Sequence, residues 1–138
     1  MTLFEECVHA IGDDHLRILS NEETEKYFDY LCTLFPISPW GRIDWENVSE
    51  KKRITCLLEI VDWLRQKGMN DNDVIVLWNY SYYPGIQTKL EKALNAIDDV
   101  VAVGSDTFIL CKNGEYIIEF FHDGEVTIGT PENKTRKI

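Results

Sequence analysis

Two dipeptides, Asn113-Gly114 and Asp123-Gly124, stand ten residues apart in a stretch of alternating apolar residues, and they constrain this chain more than any other feature. Both favour two-residue type I′ hairpin turns, whose two central residues need positive φ. Such turns dictate a register. The first pairs Lys112 with Glu115, Cys111 with Tyr116, Leu110 with Ile117, Ile109 with Ile118 and Phe108 with Glu119. The second pairs His122 with Glu125, Phe121 with Val126, Phe120 with Thr127 and Glu119 with Ile128. The expected product is a three-stranded meander. Ile109, Cys111, Tyr116, Ile118, Phe120 and Thr127 share one face, and Phe108, Leu110, Ile117, Glu119, Phe121, Val126 and Ile128 share the other. Both faces are largely apolar, which calls for helices on one side and another element or a partner on the other.

Upstream the apolar period is helical. One helix is read around residues 2–11. A second begins at Ser20, where Glu23 completes a capping box, and carries Tyr27, Phe28, Leu31, Leu34 and Phe35 on its core side until Pro36 stops it. A third is read from Ser49, with Ile54, Leu57, Leu58, Val61 and Leu64 at helical spacing. Glu50 would sit near its positive start, Arg65 and Lys67 near its negative end and Gly68 at C′. Residues 74–78, VIVLW, read as an interior strand covered on both faces. The stretch NYSYYPG then leads into a fourth helix near Pro84 with Ile86, Leu90, Ala93, Leu94 and Ile97 on one side, and the change to period two falls at Asp98. The expectation is an α+β fold: a single domain over residues 1–138, with helices packed on a mainly antiparallel sheet that ends in a C-terminal β-meander.

Composition narrows the function. The chain has 138 residues and a net charge of −10, and residues 1–50 alone carry eleven acidic side chains against three basic. Such a surface repels nucleic acid and anionic lipid and favours a cationic partner. Cys7, Cys32, Cys56 and Cys111 are scattered without a CxxC, so the expectation is buried free thiols in a reducing cytoplasm. The first residues lack a basic segment followed by an apolar core, and no run approaches a membrane span, which again points to the cytoplasm.

The chemistry-bearing residues read mostly as structural. His122, Asp123 and Glu125 flank or form a turn, and a hairpin tip offers neither the shell nor the shielded cleft of a general base. Glu119 stands alone on an apolar face, so it is expected to pair with a lysine or arginine in the core or to lie at the sheet rim; a ligand is the further option. His9 and His15 read as surface residues, and Asp98, Asp99 and Asp106 as caps and turn formers rather than a cation site. Phosphate-loop, dinucleotide-binding, zinc-protease, nucleophile-elbow and calcium-loop patterns are all missing, so no metal and no cofactor is expected. A small hydrolase built on Glu119, His122 and Asp123 is the least favoured alternative.

The aromatic residues point elsewhere. Trp40 and Trp45 sit in the loop PISPWGRIDWEN beside Asp44 and Glu46, and Tyr80, Tyr82 and Tyr83 sit in NYSYYPG. Rigid rings supply contact area at low entropic cost while acidic neighbours select a basic partner, which makes these seven the candidate partner-binding residues. Core packing is the competing fate for the tryptophans, Trp78 included.

The stretches VIVLWNYSYYPGIQTKLEKALNAIDDV and VAVGSDTFILCKNGEYIIEFFHDGEVTIG, residues 74–129, resemble bacterial immunity proteins of contact-dependent growth inhibition systems. That resemblance implies a cytoplasmic, non-enzymatic protein that neutralises the C-terminal toxin domain of a cognate exoprotein. The toxin is often a nuclease acting on tRNA or DNA, blocked at its active site or substrate groove. The expected partner is a toxin domain with a basic surface in a one-to-one heterodimer, with no direct contact to nucleic acid or membrane. Contact residues in these families are particular to each toxin, so none is carried over. A different acidic interaction module, or a nucleic-acid mimic, is the alternative.

Overall fold

In the computed structural model, which describes residues 1–79 and 82–132, the elements in chain order are α1 (Leu3–Ile11), β1 (Arg17–Ile18), α2 (Asn21–Leu34), β2 (Lys51–Ile54), α3 (Leu58–Gln66), β3 (Asp73–Asn79), β4 (Ile86–Lys89), α4 (Leu90–Asn95), α5 (Ile97–Val101), β5 (Asp106–Cys111), β6 (Ile117–Phe120) and β7 (Val126–Gly129). Among the described residues the strands form one antiparallel sheet in the order β1-β4-β3-β5-β6-β7-β2. The α+β architecture and its terminal meander match the expectation from the sequence.

The sheet separates two cores because successive strand residues point to opposite faces. On one face Val74, Val76, Trp78, Ile109 and Ile118 pack with Phe4 of α1, Ile60 and Leu64 of α3, Ala93 of α4 and Val100 of α5. On the other, Ile75, Leu77, Phe108, Leu110 and Ile117 pack with Leu31 of α2 and with Phe35, Ile43 and Val48 from the chain that follows it. Residues 74–78 are buried on both faces, as their continuous apolar run predicts. Both long N-terminal helices carry capping boxes: Ser20 with Glu23 as expected, and Thr2 with Glu5. Trp78 belongs to the core, and its indole donates to the Val100 carbonyl at 2.8 Å.

Two helices begin later than their apolar spacing suggests. Residues 51–54 form β2 on the edge of β7, and Ile54 is buried from a strand rather than a helix. The Glu59 carboxylate accepts from the Thr55 and Cys56 amides at 2.7 and 3.1 Å, which delays α3 to Leu58. The buried face of α3 is then Ile60, Trp63 and Leu64, while Leu58 and Val61 turn outward. Gly68 follows the helix at φ +72°, as foreseen. Ile86 likewise lies on β4, since the edge of β3 offers it ladder hydrogen bonds and full burial. Leu90 and Ala93 keep their core role in α4, and the change to strand geometry falls at Asp106 instead of Asp98.

The two hairpins behave differently. The first has the expected register, Ile109 opposite Ile118 and Phe108 opposite Glu119, although its turn hydrogen bond runs from the Gly114 amide to the Cys111 carbonyl. The second is shifted by one residue: Phe120 faces Val126, Glu119 faces Thr127 and Ile118 faces Ile128. Its turn spans three residues, with the Phe121 amide bonded to the Glu125 carbonyl and Gly124 at φ +97°. A one-residue slip exchanges faces. Thr127 therefore joins Glu119, and Ile128 and Val126 join Ile118 and Phe120 at the first core, where Ile128 is fully buried and Val126 packs half-buried against it.

Candidate functional site

Antiparallel pairing collects one set of connections at a single end of the sheet. Ile18, Ile54, Asn79, Ile86, Asp106, Phe120 and Val126 all lie at that end, so the chain leaving β2, β3 and β6 and entering β5 and β7 shares it. Among the described residues no helix covers the far side of β6 and β7 there. The chain after Pro36 fills the gap, with Ile37 bridged to Ile43 and a short 3-10 turn at Trp45–Asn47.

Glu119 holds this loop in place. Only 1% exposed, its carboxylate accepts from the Arg42 Nε at 3.0 Å, the Trp45 Nε1 at 2.9 Å and the Ile43 amide at 3.0 Å. The expectation of a core arginine partner is met. The same guanidinium donates to Glu125 at 2.8 Å and lies 3.9 Å from the centre of the Phe121 ring, and Arg53 reaches Glu125 at 3.6 Å. Burial works against the charge on Arg42, but hydrogen bonds and attraction from Glu125 and Glu119 outweigh it and raise its pKa.

Trp40 projects from this loop at 73% exposure, and Glu46 is exposed. Asp44 is half-buried and accepts from the Asn47 side chain at 2.6 Å. Trp45 is half-buried too: its ring is tilted against Phe35 and lies directly over Gly129, where an added Cβ would sit 2.6 Å from it. These four residues line one cavity of about 850 Å³ together with Arg42, Lys51, Lys52, Arg53 and Glu125. The cations were not anticipated there. Lys51 to Arg53 read as the first turn of a helix, and only the β2–β7 pairing brings them to this loop.

Tyr82 is fully exposed, while Tyr83 stacks on Phe4 with ring centres 4.9 Å apart. Tyr80 lies outside the described residues. The two aromatic stretches meet at the end of β3, where the Asn79 side chain donates to the Gly41 carbonyl at 3.2 Å. One end of the molecule thus bears Trp40, Asp44, Glu46, Tyr82 and Tyr83.

The groups of the hydrolase alternative do not converge. Glu119 is engaged with the loop, Asp123 accepts from the Glu125 amide at 2.9 Å, and His122 takes Asp106 through its amide at 2.8 Å and its Nδ1 at 3.0 Å. Asp106 is buried, so its pairing with a 60% exposed histidine fastens the β6–β7 turn to β5. Among the described residues, no group of three His, Cys, Asp or Glu side chains is placed to hold a metal ion, and no helix is long and apolar enough to cross a membrane. His9 and His15 are exposed, and Asp98 and Asp99 occupy the first turn of α5. All four cysteines are free. Cys7 and Cys111 are buried, and burial pushes both thiols up to about 11, but Cys32 and Cys56 are exposed, contrary to expectation, on helix and loop surfaces that no element covers.

No curated protein matches the chain. The family model described as CdiI immunity protein EcoliA0-like matches residues 1–129, the whole sheet and every helix described above. By that match the chain belongs to the CdiI immunity proteins, and its function is immunity against a toxin of contact-dependent growth inhibition.

Proposed function

We propose that this immunity protein neutralises a nuclease toxin, acting on tRNA or DNA, by binding its basic substrate groove one-to-one in the cytoplasm, without catalysis of its own and without touching nucleic acid or membrane. A single domain suffices for the task. The docking residues in this reading are Trp40, Asp44, Glu46, Tyr82 and Tyr83 at the loop-bearing end of the sheet, with Trp45 as the support on which the loop rests. Tyr80 is assigned with them from the sequence.

The observation that carries the reading is the coincidence of the exposed rings of Trp40, Tyr82 and Tyr83 with the exposed Glu46 and the half-buried Asp44 at one end of a −10 molecule. Aromatic side chains fill pockets at low entropic cost, and carboxylates take the positions of substrate phosphates in a basic groove while accelerating encounter. Three of the four cations of the cavity are paired with carboxylates, Arg42 with Glu119 and Glu125, Arg53 with Glu125 and Lys52 with Glu59, while Lys51 donates to the neutral Trp45 carbonyl and keeps its charge.

Mixing the protein with the C-terminal domain of its cognate exoprotein tests this directly. Expected are a one-to-one complex, loss of nuclease activity and an association rate that falls as salt rises. Glu46→Lys, at an exposed position, should slow association several-fold at low salt with little change in dissociation. A toxin domain without nuclease activity, or an association rate indifferent to salt, would replace the nuclease reading with another toxin chemistry.

A further inference from the structure

We infer that the groove between α3 and α5, on the opposite side of the β6–β7 turn from Trp40, is a second docking site that receives an apolar anchor side chain of the toxin flanked by lysine or arginine. This rests on the proposal that the partner is a toxin domain with a basic surface.

The groove has a volume of about 560 Å³, enough for one or two large side chains, and its floor is Leu57, Ile97, Val101, Phe120 and Val126. All but Phe120 are half-buried: they pack on the core with one side and leave the other open. Next to Leu57, α3 turns Leu58 and Val61 outward at 73% and 41% exposure, so the apolar surface continues past the groove. Burying such surface is what an interface core requires.

Charge selects the occupant. Asp98 lines the groove and is exposed, and among the described residues no lysine or arginine lines it, in contrast with the cavity under Trp40 and its four cations. A basic surface with an apolar anchor is complementary to this rim. A second copy of a −10 chain is not. Position supports the same partner: the groove opens at the loop-bearing end, and Phe121 both lines it and carries the Arg42 guanidinium on its ring. One toxin surface laid across the β6–β7 turn therefore meets both sites.

The test uses the full chain and the C-terminal domain of its exoprotein, with binding kinetics by surface plasmon resonance. Ser105→Trp fills the groove from an exposed loop position, and Asp98→Lys reverses its rim charge. Ser105→Trp should weaken binding about tenfold or more, chiefly through faster dissociation, as blocking an anchor pocket does. Asp98→Lys should slow association at low salt and lose its effect at high salt. Melting temperatures near wild type establish that each variant is folded; if Ser105→Trp is not, Asp98→Lys decides alone. Wild-type affinity and rates in the folded variants would overturn this inference while leaving the toxin-binding reading intact. A concentration-dependent dimer of the free protein that Ser105→Trp abolishes would overturn it in favour of a second copy. Wild-type protein that ignores the toxin domain would defeat both readings.

Discussion

The two faces of the sheet are held by different physics. One face is closed by α1, α3, α4 and α5 mainly through apolar contact, as in the layer formed by Ile109, Ile118 and Ile60, with the Trp78 indole bonded to the Val100 carbonyl. The other is closed by α2 only in part, and over β6 and β7 a loop takes the place of a helix, tied down by a buried carboxylate with three donors. Apolar contact is non-directional and tolerates repacking, whereas a buried ion is stable only while every partner is in place. Trp40, Asp44 and Glu46, proposed to meet the toxin, are carried by the loop whose position depends on directional bonds.

The sharpest way to break this comparison is Glu119→Ala, which leaves Arg42, the Trp45 indole and the Ile43 amide without their acceptor. A loss of about 4 kcal/mol is expected, together with displacement of the Trp45 Nε1–H resonance in NMR spectra. Ile118→Ala, the neighbouring residue on the other face, should cost about 3 kcal/mol in urea unfolding and leave that indole resonance where it is. If both variants move the indole alike, the two faces are not independent. Gly129→Ala pushes against the Trp45 ring and should cost about 1–2 kcal/mol, with weaker toxin binding as the loop shifts. At the small end, Arg53→Ala removes a pair between an exposed guanidinium and Glu125 and should cost about 0.5 kcal/mol or less.

On the side of the sheet covered by α1 and α3, pH acts on two kinds of group with opposite signs. Burial raises the Cys7 and Cys111 thiols, both on the apolar face, from their ordinary 9.0 to about 11. A folded state that prefers the protonated thiol has its full advantage below the unfolded value and loses it as pH climbs from 9 to 11. Unfolding free energy should therefore fall across that interval, and fall less in the Cys7→Ala variant. Glu59 shows the opposite sign. Backbone bonds from Thr55 and Cys56 lower its pKa, so its cap is present above the ordinary carboxylate range and is lost as pH drops through its depressed folded value. Replacement by glutamine should flatten the acid limb of the stability curve.

Much of the fold is legible in the residues. The Ser20 capping box, the doubly buried run at 74–78, the first hairpin register and the need for a cationic partner at Glu119 all follow from local spacing or from the cost of an unpaired charge. Elements at 51–54 and 86–89 were not, because Ile54 and Ile86 fit a helical period as well as a strand, and the deciding contribution is an unpaired strand edge, supplied to Ile54 by β7 from far along the chain and to Ile86 by the preceding β3. The second hairpin was misregistered for a related reason. Asp123-Gly124 accommodates two-residue and three-residue turns alike, and the shift that buries Ile128 and packs Val126 against the core is selected only by the core beneath them. At the candidate site, the rings and carboxylates were visible as residue types, but the basic lining from Lys51, Lys52 and Arg53 and the groove between α3 and α5 were not.

By itself the sequence determined the α+β class, the acidity on which the proposal of a basic partner rests and the family resemblance, since each rests on composition, period or word order within one stretch of chain. Tertiary structure alone decided how β1, β2, β3 and β4 join the C-terminal meander, where Glu119 finds its donors and which loops share one end of the sheet. The Glu119 contacts join residues 74 to 77 positions apart, as between Arg42 or Trp45 and Glu119, and no local pattern encodes a contact whose free energy appears only when both segments have folded.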